Sequence, residues 1–134
     1  ETLSKNSSWI NLKELNLNDN KIGDAGAEAL SKNTTWINLT DLILSFNNIK
    51  DQGATALSNN NTWNNLTTLH LDNNWIGNES AVALSKNTCW VNLKRLRLHK
   101  TNIDDDGAKA FNENSIWTNM EELYLDGEQV SKDI

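Results

Sequence analysis

A chain of 134 residues with formal net charge -6 has the length of one globular unit and an acidic balance. Such a balance argues against a generic nucleic-acid or anionic-membrane surface, which is built by neutralising phosphates with Lys and Arg. Apolar runs of about three residues fall far short of the roughly 18 that cross a bilayer, and no charged-then-apolar start resembles a signal peptide.

The chain opens on Glu1 and "ETLSKN", which reads as the tail of a preceding helix, so we expect a piece of a longer protein. From Trp9 the stretch "WINLKELNLNDNKIGDAGAEAL" runs to Leu30 and returns as "WINLTDLILSFNNIKDQGATAL" from Trp36 to Leu57. Trp9, Trp36, Trp63, Trp90 and Trp117 are each 27 residues apart, as are Leu3, Leu30, Leu57, Leu84 and Phe111. A fixed period of this size signals a solenoid. It divides 1–134 into one repeat domain with units at about 3–29, 30–56, 57–83, 84–110 and 111–134, the last incomplete.

Within each unit a loop carries the Trp, expected in the core. A short strand follows, because Leu15-Asn16-Leu17 alternates with period two. Asp24, Asp51, Asn78 and Asp105 occupy the expected N-cap region of a helix, just before the small residues of Gly-Ala-x-Ala-Leu. Asn33, Asn60, Asn87 and Asn114 follow the last helical turn, where Asn tolerates the left-handed conformation that ends a helix. Asn-x-Ser/Thr triplets at Asn6, Asn33, Asn38, Asn60, Asn65 and Asn78 read as by-products of this repeat. Cys89, the only cysteine, allows no internal disulfide and favours a reducing compartment. Its loop position is held by Ser8, Thr35, Thr62 and Ile116 in sister repeats, so it is read as a structural thiol.

The motif Leu-x-x-Leu-x-Leu-x-x-Asn-x-Ile, as in Leu12, Leu15, Leu17, Asn20 and Ile22, resembles the leucine-rich repeat. The segments "GDAGAEALSKN", "KDQGATALSNN" and "DDDGAKAFNEN" resemble the helix-bearing repeats of its ribonuclease-inhibitor-like class, and the composition is similar to effectors of intracellular bacteria. The resemblance implies an α/β fold: a right-handed βα horseshoe arc of about five repeats, with a parallel sheet on the concave face and short helices on the convex face. It also implies that Asn20, Asn47 and Asn74 form the family's asparagine ladder, which falters at Thr101 and Glu128. Location would then be the cytoplasm, or a host cytosol for a secreted effector.

The positions that change between repeats fall on the concave strands. They read Glu14, Asp41, Thr68, Arg95, Glu122; then Asn16, Ile43, His70, Arg97, Tyr124; then Asn18, Ser45, Asp72, His99, Asp126; then Asp19, Phe46, Asn73, Lys100, Gly127, with Trp75 two residues further along. Aromatic residues with Arg are the types enriched at binding hot spots. We therefore expect a protein-binding face made by Asp41, Ile43, Phe46, His70, Asp72, Trp75, Arg95, Arg97, His99, Glu122, Tyr124 and Asp126. Phe46, Trp75 and Tyr124 would anchor the partner, while Arg95, Arg97, Asp72 and His99 set its register.

With strands about 4.8 Å apart, Arg95 is expected beside Glu122, Arg97 between His70 and Tyr124, and the His99 imidazole between Asp72 and Asp126. That last trio splays on a sheet and reads as surface ion pairing, not as a metal site. No Ser-His-Asp set, phosphate loop or paired Cys-His spacing is found, so no enzyme activity, cofactor or small-molecule substrate is expected. Five strands present a face of roughly 400 Å², against about 800 Å² per partner in a standard interface. More repeats or the edge loops must therefore contribute. Regulation of a small GTPase and self-association through uncapped apolar ends are the alternative readings.

Overall fold

In a computed structural model, residues 3–125 and 128–130 are described. A 3-10 turn, Leu3–Lys5, precedes β1 (Glu14–Asn16), α1 (Gly23–Ser31), β2 (Asp41–Ile43), α2 (Asp51–Ser58), β3 (Thr68–His70), α3 (Asn78–Ser85), β4 (Arg95–Leu98), α4 (Asp105–Asn112), β5 (Glu122–Leu125) and β6 (Glu128–Val130). The strands form one six-stranded sheet in chain order. β1 to β5 pair in parallel with each residue opposite its equivalent 27 positions on, as in Leu15, Leu42 and Leu69. This is the expected α/β solenoid, with one addition: β6 turns back and pairs antiparallel with β5.

Leu39, Leu42 and Leu44 with their counterparts fill the space between sheet and helices, joined by Ala27, Ala54 and Ala81 from the helices. Trp36, Trp63, Trp90 and Trp117 are fully buried, and Phe111 stacks on Trp117 with centroids 5.9 Å apart. The indole N–H groups of Trp36, Trp63 and Trp90 meet no acceptor among the described residues, so these rings supply volume and apolar area. Trp9 departs from the expected burial, at 45% exposed. It stands at the end of the stack, where the described chain before it is only the short 3-10 turn.

Hydrogen bonds between repeats run along three columns of asparagine. In the first, Asn47 Nδ2 donates to the carbonyls of Leu17, Leu44 and Ser45, and its Oδ1 accepts from the Asn20 and Ile22 amides. Asn74 repeats this one unit later, while Thr101, among the described residues, reaches only the Leu98 carbonyl of its own unit. A second column corrects the expected left-handed helix ends: Asn33, Asn60, Asn87 and Asn114 do not have positive φ. Their Oδ1 atoms instead accept from the amides two and three residues on, including those of Trp36, Trp63, Trp90 and Trp117. Asn60 Nδ2 also reaches back to Ser31 O, and Asn87 Nδ2 to Ser58 O. In the third column Asn38, Asn65, Asn92 and Asn119 donate to the carbonyls of Ile10, Ile37, Asn64 and Val91 at 2.9–3.0 Å.

The expected N-caps are corrected in the same sense. Asp51, Asn78 and Asp105 are the first residues of their helices and Asp24 the second. Asp24 Oδ1 accepts from the Lys50 and Gly53 amides, so it caps the helix of the next repeat. Asp51 likewise accepts from the Gly77 and Ser80 amides and from the Ser80 hydroxyl. Burial by itself raises the Asp51 pKa, but these hydrogen bonds outweigh it and hold the carboxyl below its ordinary value.

Asn47→Ala strands the five backbone groups that Asn47 serves, and should cost about 3 kcal/mol in urea unfolding. At Gly53, an added Cβ would meet Asp24 Oδ1 at 2.6 Å and Asp24 Cα at 3.0 Å. Gly53→Ala should therefore cost about 1–3 kcal/mol despite alanine's better helix propensity; a more stable variant would contradict the cap across repeats.

Candidate functional site on the strand face and its edge

Parallel pairing in register turns each outward column into a row of lateral neighbours, although Thr68, Ser45 and Asp72, expected to be exposed, are buried. Glu14, Asp41, Thr68, Arg95 and Glu122 form one row, and Asn16, Ile43, His70, Arg97 and Tyr124 the next. Arg95 lies 3.6 Å from Glu122 and 3.4 Å from Glu121, in partly exposed pairs that contribute little to stability. Glu121 was not among the expected site residues because it precedes the strand. Asp41 and Ile43 are half-buried on β2.

Around Arg97 the face is ordered. Its Nε lies 3.4 Å from Asp72 Oδ2 without hydrogen-bond alignment, and its guanidinium sits 5.7 Å from the Tyr124 ring centroid. The His99 ring stacks on Tyr124 at 5.0 Å. Asp72 is nearly buried and its Oδ1 accepts from the His99 backbone N–H at 2.8 Å. The expected arrangement about the His99 imidazole is thus changed, since Asp72 engages the backbone of His99 and the side chain of Arg97. Asp126 lies outside the described residues. Among the described residues no three His, Cys, Asp or Glu side chains form a group that could hold a metal ion.

His70 faces Arg97 across the β3–β4 pair. Burial lowers its pKa first, and the Arg97 charge lowers it further, against smaller opposing effects of Asp72 and Asp41. A lowered folded-state value means that the unfolded chain binds more protons below the ordinary value of about 6.5. His70 therefore takes stability away as pH falls through that region. The imidazole signals of His70 should titrate below 6.5 in an NMR series, and His70→Gln should flatten the loss of stability between pH 7 and 5. Titration at or above the ordinary value would contradict this environment.

Phe46 and Trp75 do not stand among the strand residues. They lie in the turns that follow the strands, on the edge of the face, and are 52% and 62% exposed. With Asp19, Lys21, Asn48, Asn73, Asn74, Lys100 and Asn102 they line a shallow groove of about 440 Å³. Asp19, Phe46, Asn73 and Lys100 share a left-handed backbone, with φ of 60, 59, 58 and 53°. That conformation costs an L-residue roughly 1–2 kcal/mol, which Asn and Asp tolerate best. Phe46 is thus a bulky residue held in a strained, exposed place. Lys21, Asn48 and Asn102 were not foreseen here; carrying the comparison of columns two positions further would have found them.

A family model described as Leucine Rich repeat matches residues 10–31, 37–58, 64–85 and 91–111. The chain belongs to the leucine-rich repeat family. Repeats of this family generally serve as non-enzymatic binding modules. No curated protein matches the sequence. Among solved structures the chain is similar to "Leiomodin-1 Actin-Binding Site 2 (ABS2)", at 25% identity and TM-score 0.59, over 84% of this chain and 68% of that one.

Proposed function

We propose that this leucine-rich repeat segment is a protein-interaction module that grips a partner with its strand face and the adjoining edge. The observation that carries this reading is the Asp72, Arg97, His99 and Tyr124 cluster, in which Arg97 lies against Asp72 and Tyr124, and Tyr124 stacks on His99. Arg and Tyr are enriched at hot spots. Strands of three or four residues present a narrow face, so the edge turns contribute the remaining contact area.

Within this reading the ribonuclease-inhibitor-like class, a cytosolic location and an effector or inhibitor role, by occluding or recruiting the partner, are the finer proposals. Their support is the helix-bearing repeat and the single cysteine. Actin is the first protein to test, because the similar structure is named for binding it.

The test compares the parent with an Arg97→Glu/Tyr124→Ala double variant, by titration against purified actin and by affinity capture from cell lysates. Arg97→Glu and Tyr124→Ala remove two half-exposed side chains, so the fold should persist by circular dichroism. Partner affinity should fall by about 100-fold. A folded double variant that retains its partners at full affinity would refute the strand-face assignment.

A further inference from the structure

The edge groove has an order of chemistry that the strand face lacks. Successive repeats contribute Lys21, then Phe46, then Trp75, then Lys100. Neither lysine makes an ion pair among the described residues. Asp19 opposes one of them, which leaves the lining net positive within a chain of net charge -6.

The two aromatic residues are held at their backbones and exposed at their rings. Phe46 N–H donates to Asp72 O at 3.0 Å and Trp75 N–H to Ile49 O at 2.8 Å, and Trp75 also forms a parallel bridge with Lys50. Rigid aromatic groups lose little conformational freedom when a partner covers them. Asn48 and Asn102 are exposed in the same lining, offering both donors and acceptors to a peptide backbone.

We propose that this groove, the edge part of the interface proposed above, takes an extended, acidic segment of the partner protein. Large apolar side chains of the segment sit on Phe46 and Trp75, and a carboxylate at each end meets Lys21 and Lys100. Three repeat spacings of about 4.8 Å set the groove's length at roughly 14 Å, which an extended segment of about four residues spans. Charge selects the occupant: a basic segment would face two unpaired lysines, and a purely apolar one would leave them unused.

The groove's lining does not include Arg97 or Tyr124, so its failure and that of the strand-face reading are separable. Random linear peptides displayed on phage would be selected on the parent chain, and the enriched sequences synthesised with a fluorescein label for anisotropy titration. Enriched peptides should carry one or two large apolar residues flanked by Asp or Glu. Their Kd should rise by about tenfold or more in Trp75→Ala and in Lys21→Glu/Lys100→Glu. Phe46→Asn, which places a tolerant residue in the left-handed turn, should keep the fold and lose the peptide. The Arg97→Glu/Tyr124→Ala variant should bind the same peptides as the parent does. Enrichment of basic peptides, no enrichment, or undiminished binding by a folded Lys21→Glu/Lys100→Glu variant would overturn the proposal.

Discussion

Every repeat of this solenoid depends on polar backbone groups that its own residues leave unsatisfied. Asparagine is the side chain suited to that task, because its amide donates and accepts from one planar group and carries no charge into a buried place. Asn47 and Asn74 serve the turns after the strands, Asn60 and Asn87 the ends of the helices, and Asn65 and Asn92 the loops before the next strands. Each spans the boundary to the preceding repeat. The period of 27 residues is consequently as much a hydrogen-bonding register as a hydrophobic one, and the leucines and tryptophans fill the space that this register defines.

A scaffold held from within leaves its outer columns available for variation. Where Asn16 and Asn18 stand in the first repeat, the fourth carries Arg97 and His99 on an unchanged backbone register. Asp72 links scaffold and surface: one carboxylate oxygen fixes the His99 backbone while the other neighbours Arg97. At the edge the same register holds Phe46 in a left-handed turn that suits Asp or Asn better, and a cooperative stack is what makes that strain tolerable.

Much of the architecture was legible because the chain repeats itself. One strand, read at Leu15-Asn16-Leu17 and found one residue earlier at Glu14–Asn16, placed four others by translation, and alternation separated the inward leucines from the residues between them. The rows Arg95 beside Glu122 and Arg97 between His70 and Tyr124 followed from parallel pairing alone. Reading single repeats misplaced the partners of polar residues. Asp24 looks like a cap for its own helix, and Asn33 like a left-handed helix end, because sequence neighbours are the only partners that a local reading supplies.

Sequence by itself determined the solenoid, its period, the inward leucines and the burial of Trp36, Trp63, Trp90 and Trp117, since these depend on periodicity and apolar burial. Tertiary structure alone decided the rest. It directed Asp24 to the next helix, turned β6 back against β5, pointed Asp72 at the backbone of His99, and separated Phe46 and Trp75 from the strand face. The physical reason is common to all four: a hydrogen bond or a turn chooses among candidates by distance and angle, and those exist only after the repeats have stacked.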